Sequence, residues 1–210
     1  MNRTTKRLLV ALLALVHFSI PFSLIAAGPA RIDAFLTNDD TYYYLQTAWN
    51  ARHLGWVTFD AINATNGVQF AWFGCLYLLS FVTDDKLAFL RLASVLDLAL
   101  TCLPYVFIWR AAHRAGIAQP GRLALLMSIG WFLVVLYPPD SYLLGMESAL
   151  HACVVWAIVL QYLRIAEQAA SGSVRSSSAL LLAGLLVLNT WARLDSVGLS
   201  ACVLVLLLWT

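Results

Sequence analysis

The sequence predicts an all-α integral membrane protein, a multi-helix transmembrane bundle whose first long loop carries helices lying at the membrane surface. Three observations carry that expectation. Of the 210 residues, 61% are apolar and only 11% charged, and the mean hydropathy is +0.79, far from the composition of a water-soluble globule. Apolar stretches long enough to cross a hydrocarbon core of about 30 Å recur along the chain. With 68–82 held at the outer surface, eight of the thirteen basic residues fall on one side and Arg31, Arg52, Lys86, Arg91 and Arg193 on the other, the bias that the positive-inside rule favours. The same composition excludes a disordered chain. Cys75, Cys102, Cys153 and Cys202 all lie inside apolar runs without ligand spacing, so neither a disulfide framework nor a zinc site is expected. A net charge of +2 is too small to imply a nucleic-acid partner.

The first element is a span over about 8–28, preceded by Arg3, Lys6 and Arg7. A cleavable signal peptide is the competing reading, since Ala27-Gly28-Pro29-Ala30 offers small residues, but the apolar stretch exceeds the ~7–15 residues usual for one. A polar loop over 29–86 follows. Within it, Thr37-Asn38-Asp39-Asp40 fits a capping box, and 40–54 reads as an interfacial helix in which Tyr42, Leu45 and Trp49, with Tyr44 and Ala48, recur at helical spacing before Gly55. Thr58 to Gly67 is too rich in Asx, Thr and Gly for a helix or strand and reads as a structured turn, with Asn66-Gly67 its strong turn signal. The stretch 68–82 is marginal for a crossing at about 15 residues and is expected to lie at the surface as a second interfacial helix. Spans are then predicted at about 87–109, 122–138, 147–164, 178–191 and 197–210. Asn189, Arg193 and Asp195 separate the last two, and the final apolar run at Thr210 lacks a polar flank, as expected of the front part of a longer protein.

This topology gathers Arg3, Lys6, Arg7, Arg110, Arg114, Arg122, Arg164 and Arg175 on the cytoplasmic side with one acid, Glu167. The outer side holds Asp33, Asp39, Asp40, Asp60, Asp84, Asp85, Asp140, Glu147 and Asp195, which is nine of the eleven acids, and only Asp97 is left within a span. The expected location is the cytoplasmic membrane, multi-pass, with the N-terminus inside and the acidic face outward.

Each polar motif on that face has a local reading beside a chemical one. Asp39 and Asp40 suit the first turn of a helix. Asp60 and Asn63 suit backbone hydrogen bonds within a turn. Glu147, in Gly145-Met146-Glu147-Ser148, complements a helix N-terminus, and Arg193-Leu194-Asp195-Ser196 marks a membrane boundary or is buried. At i, i+2 on a helix, Arg193 and Asp195 do not face each other, so buried they would need separate partners. Ionisable groups at membrane depth are functional by default.

Taken in order and spacing, Asp39-Asp40-Thr41-Tyr42-Tyr43-Tyr44-Leu45, Thr58-Phe59-Asp60 through Thr65-Asn66-Gly67, Gly145-Met146-Glu147-Ser148 and Arg193-Leu194-Asp195-Ser196 resemble the N-terminal half of a GT-C type bacterial membrane glycosyltransferase. The resemblance implies transfer of a sugar from a polyprenyl-phosphate donor to a glycan, lipid or protein acceptor at the outer face of the cytoplasmic membrane. It places the catalytic carboxylate at Asp39 or Asp40 and substrate contacts at Asp60, Asn63, Asn66, Glu147, Arg193 and Asp195. Relatives commonly carry Phe-His-Pro-Leu-Trp where this chain has Val68-Gln69-Phe70-Ala71-Trp72, and Gly and Pro where it has Ala61 and Ala64.

Such chemistry builds oxocarbenium character at the anomeric carbon while an acceptor hydroxyl loses its proton. A carboxylate near the attacking oxygen serves as general base in one in-line displacement, with inversion. Its neighbour is free to hold a divalent cation or orient the acceptor. The leaving phosphate calls for positive charge, for which Arg193 and Arg52 are candidates, Arg52 reading better as an interfacial anchor. Two other classes compete: a transporter or flippase of lipid-linked glycans with a path along Arg91, Asp97 and Arg193, and an inactive truncated scaffold.

Overall fold

The structure, a computed structural model, describes residues 39–136 and 145–208 together with positions 12, 15 and 26. The remainder of the span expected at about 8–28, the loop residues Arg31, Asp33, Thr37 and Asn38, positions 137–138, Asp140 and positions 209–210 lie outside the described residues. Within them the chain is helix and connecting loop, with no strand. The helices are α1 (Asp39–Leu54), α2 (Phe70–Ser80), α3 (Lys86–Arg114), α4 (Pro120–Leu136), α5 (Ser148–Ala170), α6 (Ser176–Ala192) and α7 (Val197–Leu208), and a single 3-10 turn, Leu194–Ser196, separates the last two.

Two of these, α3 and α5, are long and apolar enough to cross a membrane. At 1.5 Å per residue they reach about 43 Å and 35 Å, against about 30 Å for a hydrocarbon core. Both overrun the apolar stretches that foretold them, ending at Arg114 and Ala170 instead of about 109 and 164. Arg, Ala and Glu continue a helix readily, and the stop comes from glycine. Gly116 (φ +70°) and Gly172 (φ +72°) adopt the left-handed conformation. Ile117 N–H then reaches Ala112 O at 3.0 Å and Ser173 N–H reaches Gln168 O at 2.9 Å, closing a Schellman motif at each end. The start of α3 is fixed by Asp85, whose carboxylate accepts from Ala88 N–H at 2.6 Å. With 11 residues, α2 spans only about 16 Å.

Contacts across the bundle set the relative direction of its helices. Asp97 of α3 meets Gly145 just before α5, Cys153 donates to Leu100 O at 3.0 Å, and Arg114 pairs with Glu167. Residue numbers rise together along both helices, so α3 and α5 are parallel. Gln161 Nε2 donates to Ser178 O at 2.8 Å while Glu147 lies against Arg193, so α5 and α6 are antiparallel. One end of the bundle therefore collects α1, α2, the 55–69 loop, Gly145 to Glu147 and the 193–196 break. The other collects Arg110, Arg114, Arg164 and Glu167.

At the first end, α1 is more enclosed than a helix resting in the headgroup layer. Thr41, Tyr44, Leu45, Thr47, Ala48, Trp49, Asn50 and Ala51 are buried. Small residues on that face let α2 approach closely, and a core forms from Tyr44, Leu45, Trp49, Trp72, Leu76 and Phe89. Trp72 is fully buried and ties α2 to the rest by donating Nε1–H to Gly145 O at 3.0 Å. A second core of Val154, Ile158, Ile165, Leu182, Leu186 and Val203 joins α5, α6 and α7.

Candidate functional site

The centre of the acidic end is a break in the chain. After Ala192 the backbone of Arg193 becomes extended (φ −151°, ψ 122°) and Leu194–Ser196 makes one 3-10 turn before α7 begins. Asn189 holds this break. Its Nδ2 donates to Ser196 O and Ser200 Oγ, both at 3.1 Å, and Ser196 Oγ returns a bond to Asn189 O at 2.8 Å.

Leaving the helix changes what Arg193 can touch. Its Nε donates to Asp195 Oδ1 at 3.0 Å and its Nη2 to Asp195 Oδ2 at 2.9 Å, a forked pair. The expectation of separate partners held for a pair buried on one continuous helix; here the helix ends at Ala192 and Asp195 is exposed, so the two pair directly. The remaining nitrogen, Nη1, lies 3.7 Å from Glu147 Oε1. Asp195 is exposed, whereas Glu147 is buried with its Oε2 unpartnered among the described residues. The Arg193 fork holds the Asp195 carboxyl below its ordinary range.

Glu147 occupies the N-cap position of α5 without capping it through its side chain. Its surroundings explain why. Gly145 (φ +80°) turns the chain hard against α1, so that a Cβ at that position would lie 2.4 Å from Thr41 Cγ2. Asp97 Oδ2 accepts from Gly145 N–H at 3.0 Å, and Trp72 holds its carbonyl. This double grip aims Glu147 inward, toward Tyr44. The Tyr44 hydroxyl accepts from Gln69 N–H at 3.1 Å. Burial first, then the charges of Glu147 and Asp40, push its pKa up to about 12. Leu194 N–H in turn reaches Gln69 Oε1 at 3.3 Å. Asp40, Tyr44, Gln69, Glu147, Arg193 and Asp195 thus share one end of the bundle. Asp39 and Asp40 are exposed in the first turn of α1.

The loop residues do something else. Asp60 Oδ1 accepts from Ile62 N–H at 2.9 Å and Asn63 N–H at 2.8 Å, while Oδ2 accepts from Asn63 Nδ2 at 2.8 Å. These bonds to Asn63 lead in holding the Asp60 carboxyl well below the usual carboxylate range. Asp60 and Asn63 therefore build the loop, and Asn50 pins it by donating to Thr58 O and Phe59 O. The turn expected at Asn66-Gly67 lies earlier, since the left-handed residue is Ala61 at φ +62°. Carboxylate bonds to the amides two and three residues on favour a bend there over one at Asn66. Asn66 is exposed.

Arg52 is corrected as well. Instead of snorkelling or awaiting a phosphate, it donates to Ser80 O, to Thr83 O at 2.8 Å and to Asp84 Oδ1 at 2.6 Å, closing the C-terminal end of α2. Beside α1 runs a largely apolar groove of about 410 Å³ lined by Tyr42, Leu45, Trp49, Phe59, Lys86 and Leu90 among others. Sequence reasoning missed Tyr44 as a site residue because its spacing reads as packing. His151 and Asn189, two polar side chains inside apolar runs, carried the available signal. His151 Nε2 is buried beside Asn189 and unpartnered among the described residues. Also among these residues, no group of three or more His, Cys, Asp and Glu side chains is placed to hold a metal ion. Comparison with known proteins finds no family model, curated protein or solved structure that matches the chain.

Proposed function

We propose that this chain is the donor-binding part of a membrane glycosyltransferase that takes a sugar from a polyprenyl-phosphate carrier, with the acidic end facing outward. One observation carries the reading: a single arginine, Arg193, is backed by a buried carboxylate, Glu147, at a helix break beside the acidic first turn of α1. Glu147 fixes one edge of the guanidinium. The Nε/Nη2 fork faces the exposed side, where it holds Asp195. A phosphate has the geometry for that fork, and an exposed ion pair is worth only about 0–1 kcal/mol. The donor phosphate therefore competes with Asp195 for Arg193, which offsets the charge that the leaving group gains.

Asp39 or Asp40 serves as general base toward the acceptor hydroxyl, on the opposite side of the anomeric carbon from the phosphate, and the product is inverted. A divalent cation, where one takes part, would draw on one of these carboxylates and on phosphate oxygens, the donor set that Mg²⁺ accepts. Its chemistry there is charge neutralisation. The groove along Tyr42, Leu45 and Trp49 supplies an apolar path for the isoprenoid next to that turn. Asp97, which the transport reading needs along a path, is buried and bonded to Gly145.

The test is transfer in membranes containing the chain, from a panel of polyprenyl-phosphate sugars. Asp39→Asn or Asp40→Asn is expected to lower the rate by about 10²–10⁴-fold, the usual worth of a general base. Unchanged transfer in both variants would remove the catalytic assignment. Carrier translocation without a glycan product would favour transport.

A further inference from the structure

The end of the bundle away from that site is concave and basic. An open cavity of about 620 Å³ lies between the last turns of α3 and α5, lined by Trp109, Arg110, His113, Arg114, Arg164 and Glu167 among others. Glu167 is committed to Arg114. Arg110 and Arg164 are exposed, and neither has an ion-pair or hydrogen-bond partner among the described residues. Three arginines against one glutamate leave this cavity with two uncompensated positive charges. They come from two different helices and line the same cavity, where like charges favour an anion between them.

The surface leading away from the cavity is apolar. Val95, Leu103, Val106 and Trp109 are all exposed on α3, at spacings that keep them on the face of Arg110. Because α3 is long and apolar enough to cross a membrane, this stripe faces acyl chains, with Trp109 at the level where indole rings collect and the arginines just beyond. A soluble phosphate compound would use the arginines and leave the stripe unused. Positive-inside loops need charge but no cavity. From the cavity, the two unpaired arginines and the stripe together, we infer that this end binds the phosphate headgroup of an anionic membrane phospholipid, its acyl chains lying along α3. This site is separate from the transfer chemistry proposed above and stands whether or not that chemistry does.

The experiment measures lipid retained by the purified full-length chain from bilayers of phosphatidylcholine mixed with phosphatidylglycerol. Each arginine near an anionic surface contributes about 1 kcal/mol, so phosphatidylglycerol is expected to be enriched about tenfold or more. Arg110→Gln with Arg164→Gln should abolish the enrichment. Both side chains are exposed and unpaired, so the variant is expected to keep the helical circular dichroism of the parent; each single variant, with a partial loss, provides the same reading should the pair misfold. Arg175→Gln removes an exposed arginine outside the cavity and should change nothing. Three results would overturn the inference: enrichment that survives the double variant, equal loss in Arg175→Gln, or displacement of the lipid by inorganic phosphate at the concentration of the lipid itself.

Discussion

Ala61 sits at φ +62°, a conformation that costs an L-residue with a Cβ roughly 1–2 kcal/mol. The bonds from Asp60 to the amides of Ile62 and Asn63 hold it there. Ala61→Gly should therefore stabilise the protein by about 1 kcal/mol, less the entropy glycine adds to the unfolded chain, as measured by thermal unfolding in detergent. Tyr44 makes a second residue-scale prediction. Its folded pKa of about 12 lies above the ordinary value of 10, so the neutral phenol is favoured by folding. That contribution is complete below about pH 10 and is lost as pH rises through about 12. In a phenolate absorbance titration one tyrosine should ionise late, and Tyr44→Phe should remove that step. Neither effect was legible in the sequence. Ala61 stands among Asx and Thr residues that all favour turns, and the position of Tyr44 in an aromatic run says nothing of the glutamate more than a hundred residues away.

At the scale of elements, the turn just before α5 is set close against α1. Gly145 combines a left-handed backbone with the approach of Thr41, whose Cγ2 would lie 2.4 Å from an added Cβ. Gly145→Ala is expected to cost about 2–4 kcal/mol through overpacking and backbone strain together. Thr41→Ser removes the offending methyl and keeps the hydroxyl, so the double variant should recover about 1–2 kcal/mol of that loss. Additive destabilisation in a thermal double-mutant cycle would refute the contact. The helices themselves were legible, because a run of apolar residues at this length has few alternatives. Their ends were not. Polarity suggested stops near 109 and 164, whereas Gly116 and Gly172 end the helices further on. The site was legible as a set of residues and illegible as geometry: Arg193 and Asp195 pair because the helix ends at Ala192 and the backbone of Arg193 is extended.

For the whole molecule, the separation of charge between the two ends becomes a statement about sides once a bilayer surrounds α3 and α5. Asn66→Cys in the loop of the acidic end and Ser173→Cys at the α5–α6 turn should react differently with a membrane-impermeant maleimide. Labelling of the first in intact cells, and of the second only after permeabilisation, is the expected result. The assay starts from a parent in which the four native cysteines have been replaced. Equal labelling would mean that the bundle does not cross. A further consequence follows from the parallel pairing of α3 and α5. Two neighbours that traverse a sheet of lipid in the same sense must be joined by an odd number of returns. The connection over 115–147 contains one described helix, α4, and if α3 and α5 both cross, that helix makes the journey back, in line with the span predicted at about 122–138. Parity thus asks of α4 the same crossing that its apolar run suggests. Its deletion would leave α5 and α6 intact as helices and exchange the compartments into which their two ends open.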